Sequence, residues 1–588
     1  MSSIFAYAGS KPCKDILLKG LCTLDKRGSG AAGIALKISN DILSVKTRGG
    51  AKALKSKTKD FSAQAFEGIG SGCTSQRCAL TDFNAKPASN NLFAVCADGH
   101  IDNFDSLKHR CANPFPIDTD DDLLLALLCI CFQPKKLDII KKITPMIEGN
   151  PTYAFMPNDE RAIYCKKGDA PLVIAVGPGG SFVSSEVNAV IHFADKYFFL
   201  EDGECARVSA DRITVYDKKY KKVKKQFLPV PESGYFESDY PVSDEIFYCP
   251  SVVKQTISAF EKEGRIDFDY LKFSRRNVDK IEQIVLAGTG SSYNASRVCK
   301  YNFNSFTDIP CFAYESSQLN NNFEQMDKNT LFIAVSHRGE STDTVECAKK
   351  AKKSGARTIA LTSNPCSYLA YICSDVINPR CDFESGEISC RSFLSQYIAL
   401  TMLALYLGRK QSIVTELYLS VAMKMAQMLF GKISSSVKSS PKAEKTARDI
   451  LEADYVFCTG LGIDCALAEE AALKLRRIAG INASSYGVGE LLMSATPLLS
   501  KSIVIAFITN PDAMEKALRP LRAIKSTGAR VFIITCADSE DGPADFDNVI
   551  SWSDSVPVFN PLPCISGLYK IAITAAEIKN RGSIDKAV

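Results

Sequence analysis

At 588 residues, the chain has room for three or four domains of ordinary size, each with its own core. Its composition, with 46% hydrophobic and 23% charged residues, is typical of a soluble globular protein. A net charge of +5 is small for this length, and no lysine-rich arm with interleaved aromatic residues occurs, so the sequence predicts no nucleic-acid partner.

Membrane insertion and metal binding are not predicted either. The least polar run, residues 397–407, is too short to span a bilayer, and the first ten residues lack the basic and apolar regions of a signal peptide, so we expect a cytoplasmic protein. The 22 cysteines are scattered through apolar segments without a C-x-x-C pair, and only four histidines accompany them. We therefore expect buried thiols, no metal site and no cofactor.

The first 240 residues alternate short apolar runs with turns, among them IFAYAG, AAGIALKI, LFAVCADGHI and PLVIAVG. This pattern is typical of a layered domain that is rich in strands.

A lysine cluster, YDKKYKKVKK at residues 216–225, follows near the end of the segment. It could form a phosphate or nucleic-acid patch, but such a run is more often a solvated strand edge or linker face. We interpret it as a linker because the proline-rich LPVPESGY comes next.

Residues 284–296, IVLAGTGSSYNAS, predict a buried strand, a tight turn and the start of a helix. Gly288 and Gly290 allow positive φ and a close backbone approach, and Ser291 and Ser292 supply hydroxyl donors. The GxGxxG spacing of a dinucleotide site and its following acidic residue are missing.

Residues 331–344, LFIAVSHRGESTDT, repeat this plan, with Ser336 and Ser341 placed around the turn. A helix N-terminus with free N–H groups and nearby hydroxyls can bind an anion, although such serines also serve as ordinary helix caps. Two such turns in one parallel sheet predict a sugar-phosphate pocket at the carboxyl ends of the strands.

The plan returns near residue 455, where DYVFCTGLGIDCALAEEAALKL again predicts a strand, a Gly460-x-Gly462 turn and a helix. The offset of the two glycine turns indicates a tandem duplication. Glu470 and Lys474 lie one helical turn apart and therefore on one face of this second helix.

These motifs resemble those of the sugar isomerase (SIS) fold and, over essentially the whole chain, those of the isomerising glutamine–fructose-6-phosphate aminotransferase family. The family's phosphate loops resemble GTSYHA and SQSGETADT, so Ser292, Ser336 and Ser341 keep hydroxyls at matching positions. His337 and Arg338 stand where that family has Gln and Ser. The segment DFESGEISCRSFLS resembles PExGVASTKAFT, with family matches at Glu384, Ser389 and Arg391.

The resemblance implies a fold class and a domain plan. It implies an α+β amidotransferase-like domain with layered αββα architecture over residues 1–240, similar to class II glutamine amidotransferases. Two α/β SIS domains with parallel sheets are expected to follow, over residues 245–430 and 435–588. The first of them would bind the sugar phosphate, and the second would end in a C-terminal tail.

The resemblance also implies that glutamine hydrolysis is lost. The family's nucleophile is a cysteine directly after the initiator Met, and Ser2 occupies that position. The oxyanion-hole Asn becomes Asp98, whose carboxylate would repel the developing oxyanion. A family His becomes Lys86, and the family's glutamine-binding Arg-Trp-x-Thr-His becomes residues 73–77, CTSQR. Family matches remain at Arg27, Gly99 and Asp120.

The isomerase positions are partly lost as well. Arg477 replaces the Glu that moves a proton between two sugar carbons, and a guanidinium cannot act as a general base. Met493 replaces the ring-opening His, and a thioether does not exchange protons. Lys474, Glu470 and Lys586, the last at the position of the Schiff-base lysine, remain candidate catalytic residues.

Three hypotheses follow for this family member. The first is a regulatory pseudoenzyme that binds a hexose phosphate of the fructose 6-phosphate or glucosamine 6-phosphate class. It would form a homodimer through its SIS domains or associate with an active paralogue. The second is an active enzyme that uses ammonia as an aminotransferase, or acts as a sugar-phosphate isomerase or deaminase. In the third, Arg338, Arg391 and Arg477 adapt the pocket to a more anionic ligand, unless these arginines form compensating salt bridges.

Overall fold

The computed structural model describes residues 2–25, 30–39, 41–59, 61, 64–73, 79–111, 116–231, 242–321, 326–384, 388–438, 440–536, 545–552 and 557–584. The chain forms two compact units, the first of residues 1–235 with 366–368 and the second of residues 236–365 with 369–588. The finer boundaries near residues 240 and 430 stay predictions. No helix in the described part of the chain is long and apolar enough to cross a membrane.

The first unit contains two antiparallel sheets. Its strands are β1 (Ser2–Gly9), β2 (Ala31–Ile38), β3 (Asp41–Arg48), β4 (Glu67–Cys73), β5 (Ala88–Ser89), β6 (Phe93–Asp98), β7 (Thr152–Pro157), β8 (Ile163–Lys166), β9 (Val173–Gly177), β10 (Gly180–Ser184), β11 (Lys196–Phe199), β12 (Cys205–Val208), β13 (Ile213–Tyr216), β14 (Lys222–Val223) and β15 (Leu228–Pro229). Among the described residues, one sheet has the order β15-β11-β9-β10-β1-β4-β2-β3 and the other the order β14-β13-β12-β8-β7-β6-β5.

Helices cover the outer faces of both sheets. They are α1 (Cys13–Leu24), α2 (Gly50–Lys57), α3 (Phe104–Arg110), α4 (Asp120–Ile130) and α5 (Lys136–Ile143). Helices α1 and α2 pack on the sheet that contains β1, whereas α4 and α5 pack on the other sheet. Between the sheets lies an apolar core that includes Ile4, Ile69 and Met156. This is the αββα layering that the sequence predicts.

The lysine cluster at residues 216–225 belongs to this unit and is not a linker. Strand β14 pairs with β13, with Val215 opposite Val223 and Tyr216 opposite Lys222, at the edge of a sheet. The interpretation as a linker is therefore wrong, and the alternative of a solvated strand edge is confirmed. The lysines are tolerated there because the side chains of an edge strand reach solvent and discourage pairing with another chain.

The second unit contains two parallel sheets. Its strands are β16 (Glu261–Lys262), β17 (Arg265–Ile266), β18 (Gln283–Gly288), β19 (Cys311–Glu315), β20 (Thr330–Val335), β21 (Arg357–Leu361), β22 (Asp375–Ile377), β23 (Tyr455–Gly460), β24 (Ala483–Gly487), β25 (Ser502–Ile508), β26 (Arg530–Cys536) and β27 (Asn548–Trp552). The sheets have the orders β19-β18-β20-β21-β22 and β24-β23-β25-β26-β27. The same strand order in both agrees with the predicted duplication.

Helices of the second unit surround these sheets. They are α6 (Val242–Glu245), α7 (Cys249–Ala259), α8 (Arg275–Val278), α9 (Ser291–Phe306), α10 (Ser316–Asn321), α11 (Thr342–Lys353), α12 (Tyr368–Ile372), α13 (Cys390–Lys410), α14 (Glu416–Ser436), α15 (Pro441–Glu452), α16 (Ile463–Ala479), α17 (Val488–Ser494), α18 (Thr496–Leu499), α19 (Met514–Ser526) and α20 (Pro561–Ile584). One continuous apolar core includes Leu286, Ile333, Leu467 and Ile505, from both repeats. The uncharged runs of β18 and β20 are buried because helices cover both faces of a parallel sheet.

Candidate functional site

Two polar turns meet at the carboxyl ends of β18 and β20. These strands pair in parallel with Gly288 opposite Val335, so the turns that follow them leave the sheet side by side. The hydroxyl of Thr289 lies 3.3 Å from the hydroxyl of Ser341. The two predicted strand-turn-helix motifs are therefore confirmed, and they form one edge of the sheet.

Steric and backbone constraints explain why glycine occupies both positions of the first turn. A Cβ atom on Gly288 would lie 3.0 Å from the carbonyl oxygen of Val335 and equally near the backbone of the following helix. Gly290 has a φ of +55° and directly precedes α9, which has no acidic residue in its first turn. The helix thus begins close to the sheet with Ser291 and Ser292 in its first turn.

The second turn carries Ser336, His337 and Arg338. Ser336 is 7% exposed, and its N–H donates to the carbonyl of Leu361 at 3.0 Å. Both ring nitrogens of His337 are buried and have no hydrogen-bond partner among the described residues. Burial, together with the charges of Arg338 and Arg391, lowers the pKa of His337 to about 3, so the ring is neutral at physiological pH.

The two arginines beside this turn contact other parts of the protein. The Arg338 guanidinium lies 5.1 Å from the ring centre of Phe383, and its Nη2 donates to the carbonyl of Glu384 at 3.4 Å. Arg391 Nε lies 2.6 Å from Glu245 Oε2, and both side chains are buried. Arg391 is thus part of a buried ion pair, as the compensating salt-bridge alternative for the arginines proposes.

Glu384 occupies the N-terminus of α13. Its carboxylate accepts the N–H of Arg391 at 2.5 Å and the N–H of Ser392 at 3.1 Å. Ser389, which precedes the helix, has a φ of +56°. At this helix start a carboxylate of the chain itself takes the place that an anion could occupy.

In the second repeat, an acidic side chain lies beside the glycine turn. The turn from Gly460 to Gly462 precedes α16, whose first turn contains the buried Asp464. Asp464 Oδ1 accepts the hydroxyl of Thr509 at 2.5 Å, and Oδ2 accepts its N–H at 3.1 Å. Burial raises the pKa of Asp464 to about 7, although both hydrogen bonds lower it. A bound phosphate at this turn would have to displace or approach a carboxyl group.

Glu470 and Lys474 lie at the interface of the two repeats. Their side chains have no exposed surface, and Lys474 Nζ lies 3.0 Å from Glu470 Oε1. The amide of Asn294 on α9 donates to Glu470 Oε2 at 2.8 Å. The hydroxyl of Tyr569 on α20 donates to Glu470 Oε1 at 3.2 Å. The carboxylate is therefore compensated by groups from three helices.

The ammonium group of Lys474 also donates hydrogen bonds to three further oxygen atoms. Its Nζ donates to the hydroxyl of Ser291 at 2.8 Å, to the carbonyl of Ser389 at 3.1 Å and to the carbonyl of Ile388. Both residues thus lie beside the predicted pocket, with Lys474 in direct contact with the first turn.

The residues at the two positions that the resemblance assigns to lost catalytic groups are exposed. Arg477 is exposed on α16, and the Met493 side chain is 85% exposed on α17. Lys586 lies outside the described residues.

In the first unit, the former nucleophile position is occupied by Ser2. Its backbone N–H donates to Asp98 Oδ1 at 2.9 Å. Lys86 Nζ lies 2.8 Å from Asp121 Oδ1 in a buried ion pair and donates to the carbonyl of Ala97 at 2.6 Å. Burial raises the pKa of Asp121 to about 6, and Lys86 opposes the shift. Charged side chains therefore stand at two positions, 86 and 98, that the resemblance assigns to glutamine hydrolysis.

The remaining positions of that region are partly described. Asp120 Oδ1 accepts the N–H of Ile101 at 3.0 Å, and Gly99 has a φ of +112°. Cys73 ends β4 opposite Ser2, and burial raises the pKa of its thiol. Arg27 and residues 74–77 lie outside the described residues.

Sequence reasoning missed four residues of these clusters: Thr289, Asn294, Asp464 and Tyr569. Thr289 and Asn294 belong to the GTGSSYNAS motif, so their position in the motif was an available signal. Asp464 was visible as an acid directly after a glycine turn. Tyr569 carries no local signal, because its partner Glu470 is 99 residues away.

Comparison with known proteins agrees with this architecture. Residues 278–406 match the SIS domain family model. A glutamine–fructose-6-phosphate aminotransferase [isomerizing] of Fusobacterium nucleatum is 28% identical over 588 residues, covering 97% of this chain and 96% of that protein. The protein of the same name from Caldanaerobacter subterraneus is 26% identical, covering 100% of this chain and 98% of the relative.

One solved structure supports the fold of the second unit. The C-terminal domain of glucosamine-fructose-6-phosphate aminotransferase from Francisella tularensis has a TM-score of 0.55 and 22% sequence identity. The alignment covers 58% of this chain and 97% of that domain. The chain is thus similar along its whole length to isomerising glutamine–fructose-6-phosphate aminotransferases, and residues 278–406 of it match the SIS domain.

Proposed function

We propose that the protein binds a hexose phosphate, of the fructose 6-phosphate or glucosamine 6-phosphate class, between the turns of the first SIS repeat. We further propose that it has lost glutaminase activity and has lost, or retains little of, synthase and isomerase activity. It would then act as a regulatory pseudoenzyme. The phosphate-binding residues in this proposal are Gly288, Gly290, Ser291, Ser292, Ser336, His337, Arg338 and Ser341.

The observation that carries the binding proposal is the contact between Thr289 and Ser341. It brings two hydroxyl-rich turns and the N-termini of α9 and α11 to one edge of the sheet. In contrast, Glu384 already accepts N–H groups at the start of α13, and a carboxyl group, that of Asp464, lies in the first turn of α16. The imidazole of His337, which has no hydrogen-bond partner among the described residues, adds a neutral polar group to the edge formed by the turns after β18 and β20. Backbone donors, hydroxyls and a neutral ring are suited to a phosphate ester.

The proposed loss of catalysis rests on groups that cannot exchange protons. Isomerisation of a ketose phosphate needs one group to open the ring and another to move a carbon-bound proton, and Met493 and Arg477 stand at these positions. Loss of one general acid or base typically costs about 10²- to 10⁴-fold in rate. Both side chains are exposed, without a described substitute at either position.

Two alternatives remain as outcomes of the tests. An ammonia-dependent aminotransferase, isomerase or deaminase would need Lys474 and Glu470 in new roles, although both are buried and hydrogen bonded to the protein. A more anionic ligand would need free arginines, whereas Arg391 is paired with Glu245. The pseudoenzyme accounts for these contacts without rearrangement.

A product assay tests the catalytic part. The purified protein is incubated with fructose 6-phosphate and either glutamine or ammonium, and glucosamine 6-phosphate is quantified by mass spectrometry. The proposal expects no product above a heat-inactivated control. Ammonium-dependent product would overturn the pseudoenzyme assignment and support the second hypothesis.

A thermal-shift assay tests the binding part. A hexose phosphate at about 100 times its Kd should stabilise the protein by about 2.7 kcal/mol. Ser336→Ala combined with Ser341→Ala should abolish the shift, whereas the exposed pair Ser354→Ala and Ser435→Ala should leave it unchanged. Absence of a shift in the wild type with every hexose phosphate would refute the binding site.

We also propose self-association through the SIS repeats or association with an active paralogue. Large apolar side chains are exposed on α14, including Leu417 at 76% and Met428 at 55%. Light scattering coupled to gel filtration should give the mass of a dimer, and Leu417→Glu with Met428→Glu should give a monomer. A monomeric wild type would leave the paralogue as the proposed partner, to be tested by co-purification.

A further inference from the structure

The lysine cluster at residues 216–225 borders a cavity that the proposed function does not use. The cavity is lined by Arg161, Arg207, Ser209, Asp211, Arg212, Thr214, Tyr216 and Lys222, and its volume is about 470 Å³. All of these residues belong to the first unit. Its lining has four basic side chains and one carboxylate.

Strand register explains why the cavity is open to solvent. Cys205 and Arg207 lie two residues apart on β12, so they share one face of the sheet. Cys205 belongs to the core beneath the helices on that face, and Arg207 lies directly opposite Thr214 on β13. Helices α4 and α5 pack on β5, β6 and β8. The face of β12 to β14 at this end of the sheet therefore remains accessible.

Two of the basic side chains are held in place by carboxylates outside the cavity lining. Arg161 Nε lies 2.7 Å from Glu67 Oε1, and Arg207 Nε lies 2.7 Å from Glu160 Oε1. Each of these ion pairs uses the Nε side of the guanidinium. Arg207 Nη1 also donates to the hydroxyl of Ser209 at 3.4 Å. Because a guanidinium carries five N–H donors, these contacts orient both groups and still leave N–H donors to bind an anion.

The other two basic side chains lack such pairing. Arg212 and Lys222 are exposed and form no ion pair within the described residues. Another lysine of the cluster is paired, since Lys225 Nζ lies 2.7 Å from Glu204 Oε2. Unpaired cations beside two oriented guanidiniums concentrate positive charge at the cavity, a feature that attracts anionic ligands.

The size and charge of the cavity select the ligand class. A volume of about 470 Å³ falls within the range of small-molecule sites and exceeds what one phosphate needs. A phosphate monoester offers three terminal oxygens on one phosphorus atom to four basic side chains, whereas a diphosphate offers more oxygens on two phosphorus atoms. A diphosphate can contact cations on both sides of the cavity, and the half-buried ring of Tyr216 offers a surface for an attached organic group.

We propose that this cavity of the first unit is a binding site for a small molecule that contains a diphosphate, either free pyrophosphate or a nucleoside diphosphate. Arg212 and Lys222 contact the diphosphate directly, together with the terminal donors of Arg161 and Arg207. The hydroxyls of Thr214 and Tyr216 supply further donors.

Isothermal titration calorimetry of the full chain tests this site. The probes are ADP, pyrophosphate and orthophosphate, each without added divalent cation. We expect saturable 1:1 binding of ADP or pyrophosphate and at least tenfold weaker binding of orthophosphate. Similar Kd values for ADP and pyrophosphate identify free diphosphate as sufficient, whereas tighter ADP binding assigns the site to a nucleotide. Saturable binding of neither would refute the proposal.

Charge-matched variants locate the site. Arg212→Ala with Lys222→Ala should weaken diphosphate binding about 10- to 100-fold, because two charge-assisted hydrogen bonds are removed. Lys219→Ala with Lys224→Ala removes the same charge from exposed positions outside the cavity lining and should leave the Kd unchanged. An equal loss in both variants would mean unspecific attraction and would overturn the proposal. Tighter binding of a 20-nucleotide single-stranded RNA than of ADP would assign the surface to nucleic acid and overturn it too.

This site is separable from the proposed sugar-phosphate pocket. Diphosphate binding should persist in the variant with Ser336→Ala and Ser341→Ala and in saturating fructose 6-phosphate. Loss of diphosphate binding in that serine variant would place the ligand in the second unit and refute the cavity of the first.

Discussion

Lys474 Nζ lies 3.0 Å from Glu470 Oε1, and neither side chain has exposed surface. This pair joins α16 to α9 through Asn294 and to α20 through Tyr569. A buried ion pair with satisfied hydrogen bonds need not add net stability, but removal of one partner leaves an uncompensated charge. These contacts give the pair a structural role within the second unit.

The first prediction concerns this pair. Lys474→Met should destabilise the second unit by about 3–5 kcal/mol, because the Glu470 carboxylate stays buried without its cation. Trp552, the single tryptophan of the chain, lies in β27, so its fluorescence in a urea titration reports unfolding of this unit.

Two variants complete this experiment. Glu470→Leu combined with Lys474→Met should restore most of the lost stability, since no charge remains buried. Arg275→Met disrupts a pair with Asp279 whose side chains are 68% and 50% exposed, and it should leave the transition unchanged. A Lys474→Met transition equal to that of the wild type would show that the pair does not hold the repeats together.

The local architecture around this pair could be predicted from the sequence. Uncharged runs such as LFIAV, followed by glycine and serine, predicted the strand, turn and helix of each repeat. The spacing of Glu470 and Lys474 predicted that their side chains share a helix face, and the ion pair confirms it. Such signals lie within a few residues of one another, which is why one sequence suffices to detect them.

Long-range contacts could not be predicted in this way. The partner of Glu470 on α20 and the pairing of Arg391 with Glu245 join residues that are far apart in the chain. The edge strand β14 was misinterpreted because a lysine-rich strand has the composition of a solvated linker. Which polar groups become buried depends on such tertiary contacts, so the pKa shifts were equally inaccessible.

The second prediction concerns Asp464. Because burial raises its folded-state pKa to about 7, the native state binds this proton more tightly than the unfolded chain does. Stability from this group is therefore present at low pH and falls as pH rises from the unfolded pKa toward 7. Relative to Asp464→Asn, the wild type should lose about 2 kcal/mol between pH 5 and pH 7.

Trp552 fluorescence in urea at pH 5, 6, 7 and 8 measures this difference. Asparagine can keep both contacts with Thr509, because a hydroxyl can donate or accept. The difference between wild type and variant should level off above pH 8, where the carboxyl is ionised in both states. A constant difference across this range would contradict the raised pKa.

The third prediction concerns His337. With a pKa of about 3, its ring stays neutral from pH 5.5 to 8.5 and cannot contribute a charge to phosphate binding. Any pH dependence of hexose phosphate affinity should therefore come from the ligand, and His337→Gln should show the same profile. The ratio of the two Kd values, measured by calorimetry, should stay constant. A change of tenfold centred near pH 6.5 would show that the imidazole becomes protonated in the complex.

The last prediction concerns the first unit. Ser2→Cys should not restore glutamine hydrolysis, although it returns the family's nucleophile to its position. The Asp98 carboxylate lies 2.9 Å from the backbone nitrogen of residue 2, where it would oppose a negatively charged tetrahedral intermediate. The buried pair of Lys86 and Asp121 also remains in this region. Glutamate release, followed with glutamate dehydrogenase, should equal that of the wild type. The double variant Ser2→Cys with Asp98→Asn should also show no turnover, because Lys86 is still present. Glutamate release by Ser2→Cys alone at ten times the wild-type rate would contradict the prediction, because it would show that the reaction proceeds beside these charged side chains.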